Sequence, residues 1–235
     1  MDAPTPLAIL PVTGLPEVGP GDDLAGMIAA ATALLDGDVV VVTQKIVSKA
    51  EGRVVAVDPA DAEARRELAE REAVRVLRRR GELVITETRH GFVCANSGVD
   101  LSNMAEGHAA LLPLDPDRSA RRIRDALRAR THRELGVIVS DTFGRAWRRG
   151  VTDVAIGSAG LRGIVDLRGT PDAMGRTLVA TEICVVDEIA GAAELVMGKA
   201  AGVPAAVVRG LHPSVFGPGS VREKVVRSYG EDLFR

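Results

Sequence analysis

The chain has 235 residues, of which 46% are hydrophobic and 26% charged, so it has enough apolar material for a sizeable core and is not disordered. Aromatic residues make up only 3% and the net charge is −2, which argues against base-stacking nucleic-acid modules and against general attraction to DNA or anionic membranes. The apolar runs fall far short of the roughly 20 residues that span a bilayer, and no basic signal-peptide segment precedes them. We therefore expect a cytoplasmic protein that binds neither nucleic acid nor membranes.

The first half of the chain alternates short apolar runs with segments of helical period. In chain order it predicts a strand at Leu7–Val12, a helix at Leu24–Leu35, a buried strand at Val39–Thr43, a long charged helix at Ala62–Arg80, and strands at Leu83–Thr86 and Phe92–Cys94. Asp22 or Asp23 is available to cap the first helix. The long helix is predicted because its apolar positions recur at helical spacing, at Leu68, Ala69, Ala73, Val76 and Leu77.

The second half continues the mixture without a regular strand–helix repeat. It predicts helices at Ser119–Leu127 and Asp187–Met197, and strands at Val137–Ser140, Leu178–Val186 and Ala205–Val208. No linker, internal repeat or low-complexity tract interrupts it. The pattern favours a mixed α/β (α+β) fold in a single domain spanning residues 1–235.

Several familiar catalytic and cofactor motifs are missing. The segment "VMGKAAG" is the nearest approach to a phosphate-binding P-loop, but Ala193 and Ala200 stand where its first glycine and its hydroxyl residue belong. There is no G-x-G-x-x-G and no G-x-S-x-G. Cys94 and Cys184 are expected to be buried small hydrophobes, and the four scattered histidines have no metal-ligand spacing. A nucleotide, if one binds, must use another architecture.

Oxygen-bearing side chains suggest a site for a hard cation. Asp141 and Thr142 follow an apolar strand, and Asp100 and Asn103 lie in a loop where Gly98 permits a tight turn. Magnesium takes one or two carboxylates together with substrate phosphates. The alternative is that these aspartates are helix caps or ordinary surface residues.

Basic side chains are concentrated in two places. Lys45 and Lys49 follow the predicted strand Val39–Thr43, where they either hold a phosphate or flank a turn. The second group lies around the single tryptophan, Trp147, and consists of Arg145, Arg148 and Arg149. These arginines are either a solvated face or an anion site. In a helical turn Arg145 and Arg148 would share a face and bind phosphates, which predicts a catalytic role for these two, whereas Arg149 would lie further round and be solvated.

Five long segments together resemble one family, the gamma-glutamyl ligases that build the polyglutamate tail of the deazaflavin coenzyme F-420. They are "ILPVTGLPEVGPGDDL", "VVVVTQKIVSKAEGR", "CANSGVDLSN", "VSDTFGRAWRRGVTDVAIGSAGL" and "ATEICVVDEIAGAAELVMGKAAGVPAAVVRG". The resemblance covers about Leu7–Gly210 and applies equally to a stand-alone ligase and to the N-terminal domain of the fused bacterial form.

The resemblance implies a GTP-dependent ligase that joins L-glutamate to the terminal carboxylate of F-420-0 through an acyl phosphate and then extends a gamma-linked tail. It implies two divalent ions, Mg²⁺ or Mn²⁺, possible activation by K⁺, and a homodimer with a family-specific fold of intertwined sheets and flanking helices. Two alternatives stay open at this point: the same ligation on dehydro-F-420-0, and a non-catalytic nucleotide-binding partner domain.

The resemblance also implies the site residues. Metal ligands are implied at Asp100, Asp141 and Thr142, the last for the second ion. GTP contacts are implied at Leu15, Pro16, Glu17, Val18, Gln44, Lys49 and Asn103. A further nucleotide loop is implied over Met197, Gly198, Lys199, Ala200, Ala201, Gly202, Val203 and Pro204. Two residues depart from the pattern: Gln44 replaces a serine of some relatives, and Lys199 replaces a polar residue that faces the metal. A protonated lysine cannot ligate a metal.

Overall fold

A computed structural model describes residues 6–232, in which twelve strands and six α-helices are formed. The strands are β1 Ala8–Pro11, β2 Val39–Thr43, β3 Val54–Ala56, β4 Ala73–Arg80, β5 Leu83–Thr88, β6 Val93–Ala95, β7 His108–Ala110, β8 Gly136–Gly144, β9 Val151–Ala159, β10 Ile164–Asp166, β11 Glu182–Cys184 and β12 Ala205–Arg209. The helices are α1 Leu24–Ala31, α2 Gln44–Ala50, α3 Ala62–Arg71, α4 Pro116–Thr131, α5 Val185–Met197 and α6 Val221–Lys224.

The core lies around a five-stranded sheet with the order β1-β12-β2-β8-β9. Its central pair, β2 and β8, is parallel, and the other neighbours are antiparallel. All four valines of β2 are 0% exposed, which requires cover on both faces of the sheet. Helix α4 packs on β8 and β9, α5 packs on β9, β12 and β1, and α1 packs against α4.

Three smaller sheets stand beside this core. They are the pair β3–β7, the antiparallel sheet β4-β5-β6 that α3 covers, and the hairpin β10–β11. A second, small apolar cluster lies under β7 and is built on Leu68, Ala109 and Leu111. The mixed α/β prediction is thus confirmed. No helix within residues 6–232 has the length and apolar character needed to cross a bilayer.

The predicted helix Ala62–Arg80 is wrong in its second half. Helix α3 ends at Arg71, and Ala73–Arg80 forms strand β4, which pairs with β5 across a tight turn in which Gly81 has a φ of 60°. The helical spacing of its apolar residues is a weak signal, and cross-strand pairing with β5 overrides it, including the Arg75–Glu87 ion pair at 2.8 Å.

Other predicted boundaries also change, and two of the changes are large. The first helix ends at Ala31 rather than Leu35, and Asp23, not Asp22, caps it by accepting the Gly26 N–H at 3.1 Å. The predicted strand Leu178–Val186 is wrong over most of its length, since only Glu182–Cys184 is a strand and α5 already begins at Val185. The acidic residues Asp187 and Glu188 in the first turn of α5 favour this early start.

The hairpin β8–β9 has an irregular register that matters for the site. Val139 pairs with Gly157, but Ser140 pairs with Ala155, so Ile156 is an extra residue in β9. Beyond this bulge Thr142 lies directly opposite Asp153. Bulges increase local twist and re-aim side chains, and they are common beside active sites. The strand also continues past Ser140 to Gly144, so Asp141 and Thr142 lie within it rather than at its end.

Candidate functional site

A cavity of about 200 Å³ lies where β2 ends and β12 begins, beside the middle of β8 at residues 140–142. Parallel strands place their carboxyl ends at one edge of a sheet, which is where ligands bind in open α/β sheets. The loop before β12 joins this edge because the Thr43 N–H donates to the Pro204 carbonyl at 2.9 Å. The cavity is lined by Leu15, Pro16, Glu17, Val18, Thr43, Gln44, Lys45, Ile46, Lys49, Asp100, Asn103, Ser140, Asp141, Thr142, Asp153, Glu194, Gly198, Lys199, Gly202, Val203 and Pro204.

Most of the residues implied by the family resemblance meet in this one cavity, although they come from five distant segments. The loop of residues 15–18, Gln44, Lys49, Asn103 and much of the loop 198–204 form its walls. Asp100, Asp141 and Thr142 lie in the same space. Met197, Ala200 and Ala201 do not line it, and Met197 is instead fully buried in the core.

The carboxylate of Asp100 is held by cationic and polar neighbours. Its Oδ2 lies 3.0 Å from Lys45 Nζ and 3.6 Å from Lys199 Nζ, and its Oδ1 accepts the Ser102 N–H at 2.7 Å. Burial raises the pKa of Asp100, but the hydrogen bonds from Ser102 and the charge of Lys45 outweigh burial, so the pKa is lowered overall. Asp100 is therefore an ionised carboxylate at the cavity wall.

The tight turn before Asp100 follows from its glycine. Gly98 has a φ of 70°, and a Cβ at this position would meet Leu112 at 2.8 Å. Ser97 has a φ of 55°, and its hydroxyl donates to the Ala69 carbonyl at 2.5 Å, which ties the turn to α3. The turn is therefore fixed by packing as well as by backbone conformation, and it delivers Asp100 to the cavity.

Asp141 is in the opposite electrostatic situation. Burial raises its pKa to about 7, and the negative charges of Asp100 and Asp153 add to the increase, although the Thr142 N–H and Lys199 oppose it. Its carboxylate accepts that N–H at 2.8 Å and makes no salt bridge with any residue in the range 6–232. The surroundings of Asp141 thus favour a cation beside it.

Thr142 is oriented by a residue that the sequence did not single out. Its hydroxyl donates to Asp153 Oδ1 at 2.7 Å, and the Ser140 hydroxyl donates to Asp153 Oδ2 at 2.8 Å. Ser140 and Asp153 are 0% and 2% exposed. Ser140 and Thr142 are two residues apart in β8, so they lie on one face of the strand, where Asp153 of β9 meets both.

Lysines give the cavity a positive side. Lys45 also donates to the Ser102 hydroxyl at 2.9 Å, and Lys49 forms a short ion pair with Glu17 of the N-terminal loop. Glu17 is largely exposed, while the Lys49 side chain is mostly covered. A phosphate entering the cavity would meet both ammonium groups once Glu17 releases Lys49 and Lys45 shares its ammonium between Asp100 and the phosphate.

The two amide side chains of the site have different surroundings. Gln44 is 1% exposed, and its Nε2 donates to the Ser48 hydroxyl at 2.7 Å and to the Leu111 carbonyl at 2.9 Å. Its Oε1 is buried without a hydrogen-bond partner among the described residues. Asn103 is exposed, and its Nδ2 donates to the Lys199 carbonyl at 3.1 Å, which links the two loops across the cavity mouth.

The arginine cluster lies outside this cavity. Arg145, Arg148 and Arg149 are exposed in the turn between β8 and β9, and none of them lines the cavity. Arg148 N–H donates to the Arg145 carbonyl at 3.4 Å, so the segment is a hairpin turn and not a continuing helix. Arg145 and Arg148 were expected to share a face only if this segment were helical, and it is not. Their catalytic role stays a prediction.

Sequence reasoning assigned no role to three residues that line the cavity, Ser140, Asp153 and Glu194, or to Ser102 beside it. Glu194 projects from α5, and burial raises its pKa, with the charge of Asp153 adding to the increase. A signal for Asp153 existed, since it is an acidic residue in an otherwise apolar run. Its partner across the hairpin depended on the bulge at Ile156, which the sequence does not reveal.

The donor set fits divalent cations of the hard type. Within the described residues no group of three or more His, Cys, Asp or Glu side chains is arranged to hold a metal by itself. Two carboxylates, Asp100 and Asp141, and the Thr142 hydroxyl share the cavity with space for a phosphate. Magnesium is commonly bound in this way, with phosphates and water completing its shell. The ammonium of Lys199, 3.6 Å from Asp100, is itself unable to ligate.

Comparisons with known proteins agree on one family. The sequence profile described as F420-0:Gamma-glutamyl ligase matches residues 14–210. A protein of Methanothermobacter thermautotrophicus named Coenzyme F420:L-glutamate ligase is 44% identical over 224 residues, covering 87% of this chain and 89% of its own. Proteins with the same name from Methanopyrus kandleri and Archaeoglobus fulgidus are 43% and 42% identical, and each comparison covers 97% of this chain and 98% or 96% of the relative.

Proposed function

The chain belongs to the F420-0:gamma-glutamyl ligase family, and from this membership we propose that it joins L-glutamate to coenzyme F420-0 at the expense of GTP. The observation that carries the proposal is one cavity in which carboxylates, a hydroxyl and lysines converge. A nucleoside triphosphate with divalent ions needs this combination of groups.

The reaction we propose has two steps. A carboxylate oxygen of F420-0 attacks the γ-phosphorus of GTP, the bond to the β-phosphate oxygen breaks, and GDP leaves. The amine of glutamate then attacks the carbonyl carbon of the acyl phosphate, the carbon–oxygen bond breaks, and phosphate leaves as the nitrogen loses its proton. The first step is needed because a carboxylate is itself a poor electrophile. Repetition on the new terminus would extend a gamma-linked tail.

The residues of the chain divide this work between them. Asp100, Asp141 and Thr142 would hold divalent ions, which when bound neutralise charge on the phosphates as the phosphoryl group moves. Lys45, which lies beside Asp100, and Lys49 would bind phosphate oxygens.

The nucleotide is proposed to lie between two loops. Residues of the N-terminal loop 15–18 and of the loop 198–204 both line the cavity, and Asn103 donates a hydrogen bond to the second loop at the Lys199 carbonyl. The enclosed volume of about 200 Å³ is smaller than a typical ligand pocket of about 300–1,000 Å³. We therefore place the phosphates inside the cavity and the base at its mouth.

Other properties are proposed from family membership alone. They are the choice between Mg²⁺ and Mn²⁺, two divalent ions, K⁺ as an activator, a homodimer and a cytoplasmic location. Lys199 affects the shell of the second ion, because its ammonium, which cannot ligate a metal, lies 3.6 Å from Asp100 where the family pattern implies a polar residue that faces the metal.

Product analysis tests the proposal. The purified chain is incubated with F420-0, L-glutamate, GTP and Mg²⁺, and the products are followed by mass spectrometry and phosphate release. We expect F420-0 to gain one glutamyl unit for each GTP converted to GDP. Hydrolysis of GTP without a mass gain would instead identify a nucleotide-hydrolysing protein that lacks ligase activity.

A further inference from the structure

Asp153 is a buried cavity residue without an assigned role. It lies in β9, is 2% exposed, and accepts one hydroxyl on each carboxylate oxygen, from Ser140 at 2.8 Å and from Thr142 at 2.7 Å. A buried carboxylate is costly unless it is fully hydrogen-bonded. Two hydroxyl donors from neighbouring positions of one strand satisfy it, so the three side chains form one fixed unit.

The register of the hairpin creates this unit. Before the bulge the β8–β9 pairs follow Val137–Ala159 and Val139–Gly157, and continuing that register would set Thr142 opposite Val154. The extra residue Ile156 shifts the ladder by one, so Thr142 meets Asp153 instead. A shift of one residue exchanges the faces of a strand. The bulge therefore decides that a carboxylate and not an apolar side chain contacts the Thr142 hydroxyl.

The hydrogen bond fixes the polarity of Thr142. A threonine hydroxyl has one proton to donate and two lone pairs to accept, whereas a carboxylate only accepts. Because the proton of Thr142 is directed to Asp153, its Oγ1 presents only lone pairs to the cavity that it lines. Lone pairs facing outward are what a divalent cation requires of a hydroxyl ligand.

We propose that Asp153 is a positioning residue that acts through Thr142: it holds the hydroxyl in the orientation in which Oγ1 ligates a divalent cation and increases the electron density on that oxygen. The inference rests on the proposed function for the cation itself. Carboxylates that hydrogen-bond a metal ligand commonly set both the orientation and the basicity of that ligand. Ser140 holds the second oxygen of Asp153 and so prevents the carboxylate from rotating.

Metal affinity of the full chain provides the test. Mn²⁺ is titrated into EDTA-treated and dialysed protein, and the dissociation constant is measured by calorimetry and by the loss of the free-Mn²⁺ electron paramagnetic resonance signal. Asp153→Asn keeps the size of the side chain but removes its negative charge, which lowers the electron density on Thr142 Oγ1 even where the amide oxygen still accepts that hydroxyl. We expect it to weaken Mn²⁺ binding about 10–100-fold. Ser140→Ala removes the hydrogen bond to the other oxygen of Asp153 but leaves that of Thr142, so it should weaken Mn²⁺ binding less than Asp153→Asn does.

A double-mutant cycle separates positioning from a general structural effect. Thr142→Val removes the hydroxyl, and in that background Asp153→Asn should cause no further loss of Mn²⁺ affinity, because Asp153 no longer has a ligand to orient. Thermal melting of the metal-free proteins shows that each variant is folded. Thr142→Ser, which retains a donating hydroxyl, should restore binding and the sensitivity to Asp153→Asn.

Each result has one interpretation. Additive losses in the cycle, or unchanged affinity in Asp153→Asn, overturn the positioning role even if the protein ligates glutamate. Absence of Mn²⁺ binding by the unsubstituted protein overturns the metal role of Thr142 and this inference with it. A protein that binds Mn²⁺ with the expected coupling but does not ligate contradicts the proposed function and leaves the positioning role intact.

Discussion

Replacing Asp141 by asparagine should raise stability and lower activity at the same time. In the metal-free protein the side chain is a carboxyl whose pKa burial and two neighbouring carboxylates raise from 3.8 to about 7. Asn keeps the hydrogen bond that Asp141 accepts from the Thr142 N–H, because its Oδ1 can replace the carboxylate oxygen. The substitution therefore removes an unfavourable charge without breaking a contact.

The size of the stability gain follows from the pKa. The folded protein holds the Asp141 proton more tightly than the unfolded chain, so stability falls as the pH rises from about 4 to about 7 and is then level. A difference of about three pH units corresponds to at most about 4 kcal/mol. For a chain of this size that is a rise in Tm of roughly 10 °C at pH 8. At pH 5 the gain should be less than half as large.

Thermal melting in EDTA between pH 5 and pH 8 measures this gain, and Asp166→Asn is a suitable control. Asp166 is an exposed carboxylate whose pKa is lowered to about 2 by its hydrogen bonds with Arg168, so removal of its charge should bring no gain at any pH. An Asp141→Asn protein that melts below the unsubstituted protein at pH 8, or whose advantage does not change with pH, would refute the electrostatic reasoning.

The catalytic half of the same prediction has the opposite sign. Asn cannot supply the negative charge that a divalent ion needs, so ligation by Asp141→Asn should fall at least about a hundredfold, which is about 3 kcal/mol of transition-state stabilisation. Mg²⁺ should raise the Tm of the unsubstituted protein and leave that of the variant unchanged. Near-normal ligation at modest Mg²⁺ would remove Asp141 from the metal site.

Three further predictions concern the nucleotide, the arginine turn and the packing of β9. GTP should support ligation much better than ATP in steady-state assays, and equal rates at low nucleotide concentration would contradict guanine recognition. Arg145→Lys and Arg148→Lys should reduce kcat/KM, while Arg149→Lys should have almost no effect. If all three variants behave alike, or if the loss of activity simply follows a fall in Tm, the arginines have a structural role only. Gly157→Ala should destabilise the fold by about 1–3 kcal/mol or more, because its Cβ would lie 2.3 Å from the Pro116 carbonyl group. An unchanged melting curve would show that α4 can move away from β9 without a loss of stability.

The sequence predicted the elements of the core well because their signals are local. The run Val39–Thr43 is a strand with the bounds expected, since four successive valines leave few alternatives. It failed at Ala73–Arg80, where arginines and leucine suit a helix and only pairing with β5 makes a strand. That pairing can be recognised only when the partner strand β5 is already known.

The candidate site was predictable mainly through resemblance. Asp100 and Asp141 stand 41 positions apart in the sequence, and no spacing rule connects them. Reasoning from single segments identified a carboxylate, a hydroxyl and lysines as candidate site residues, but it did not show that they lie in one cavity. That arrangement depends on the parallel pairing of β2 with β8. Asp153 was missed because its role arises from a bulge of one residue in β9.

The identity of the reaction product tests the central claim most directly. Mass spectrometry of a reaction containing the purified chain, F420-0, L-glutamate, GTP and Mg²⁺ should reveal F420-0 extended by glutamyl units, with one GDP and one phosphate released for each unit. The product should be absent when GTP or Mg²⁺ is omitted, and when Asp141→Asn replaces the unsubstituted protein. Unmodified F420-0 after complete consumption of GTP, from a protein shown to be folded, would contradict the account.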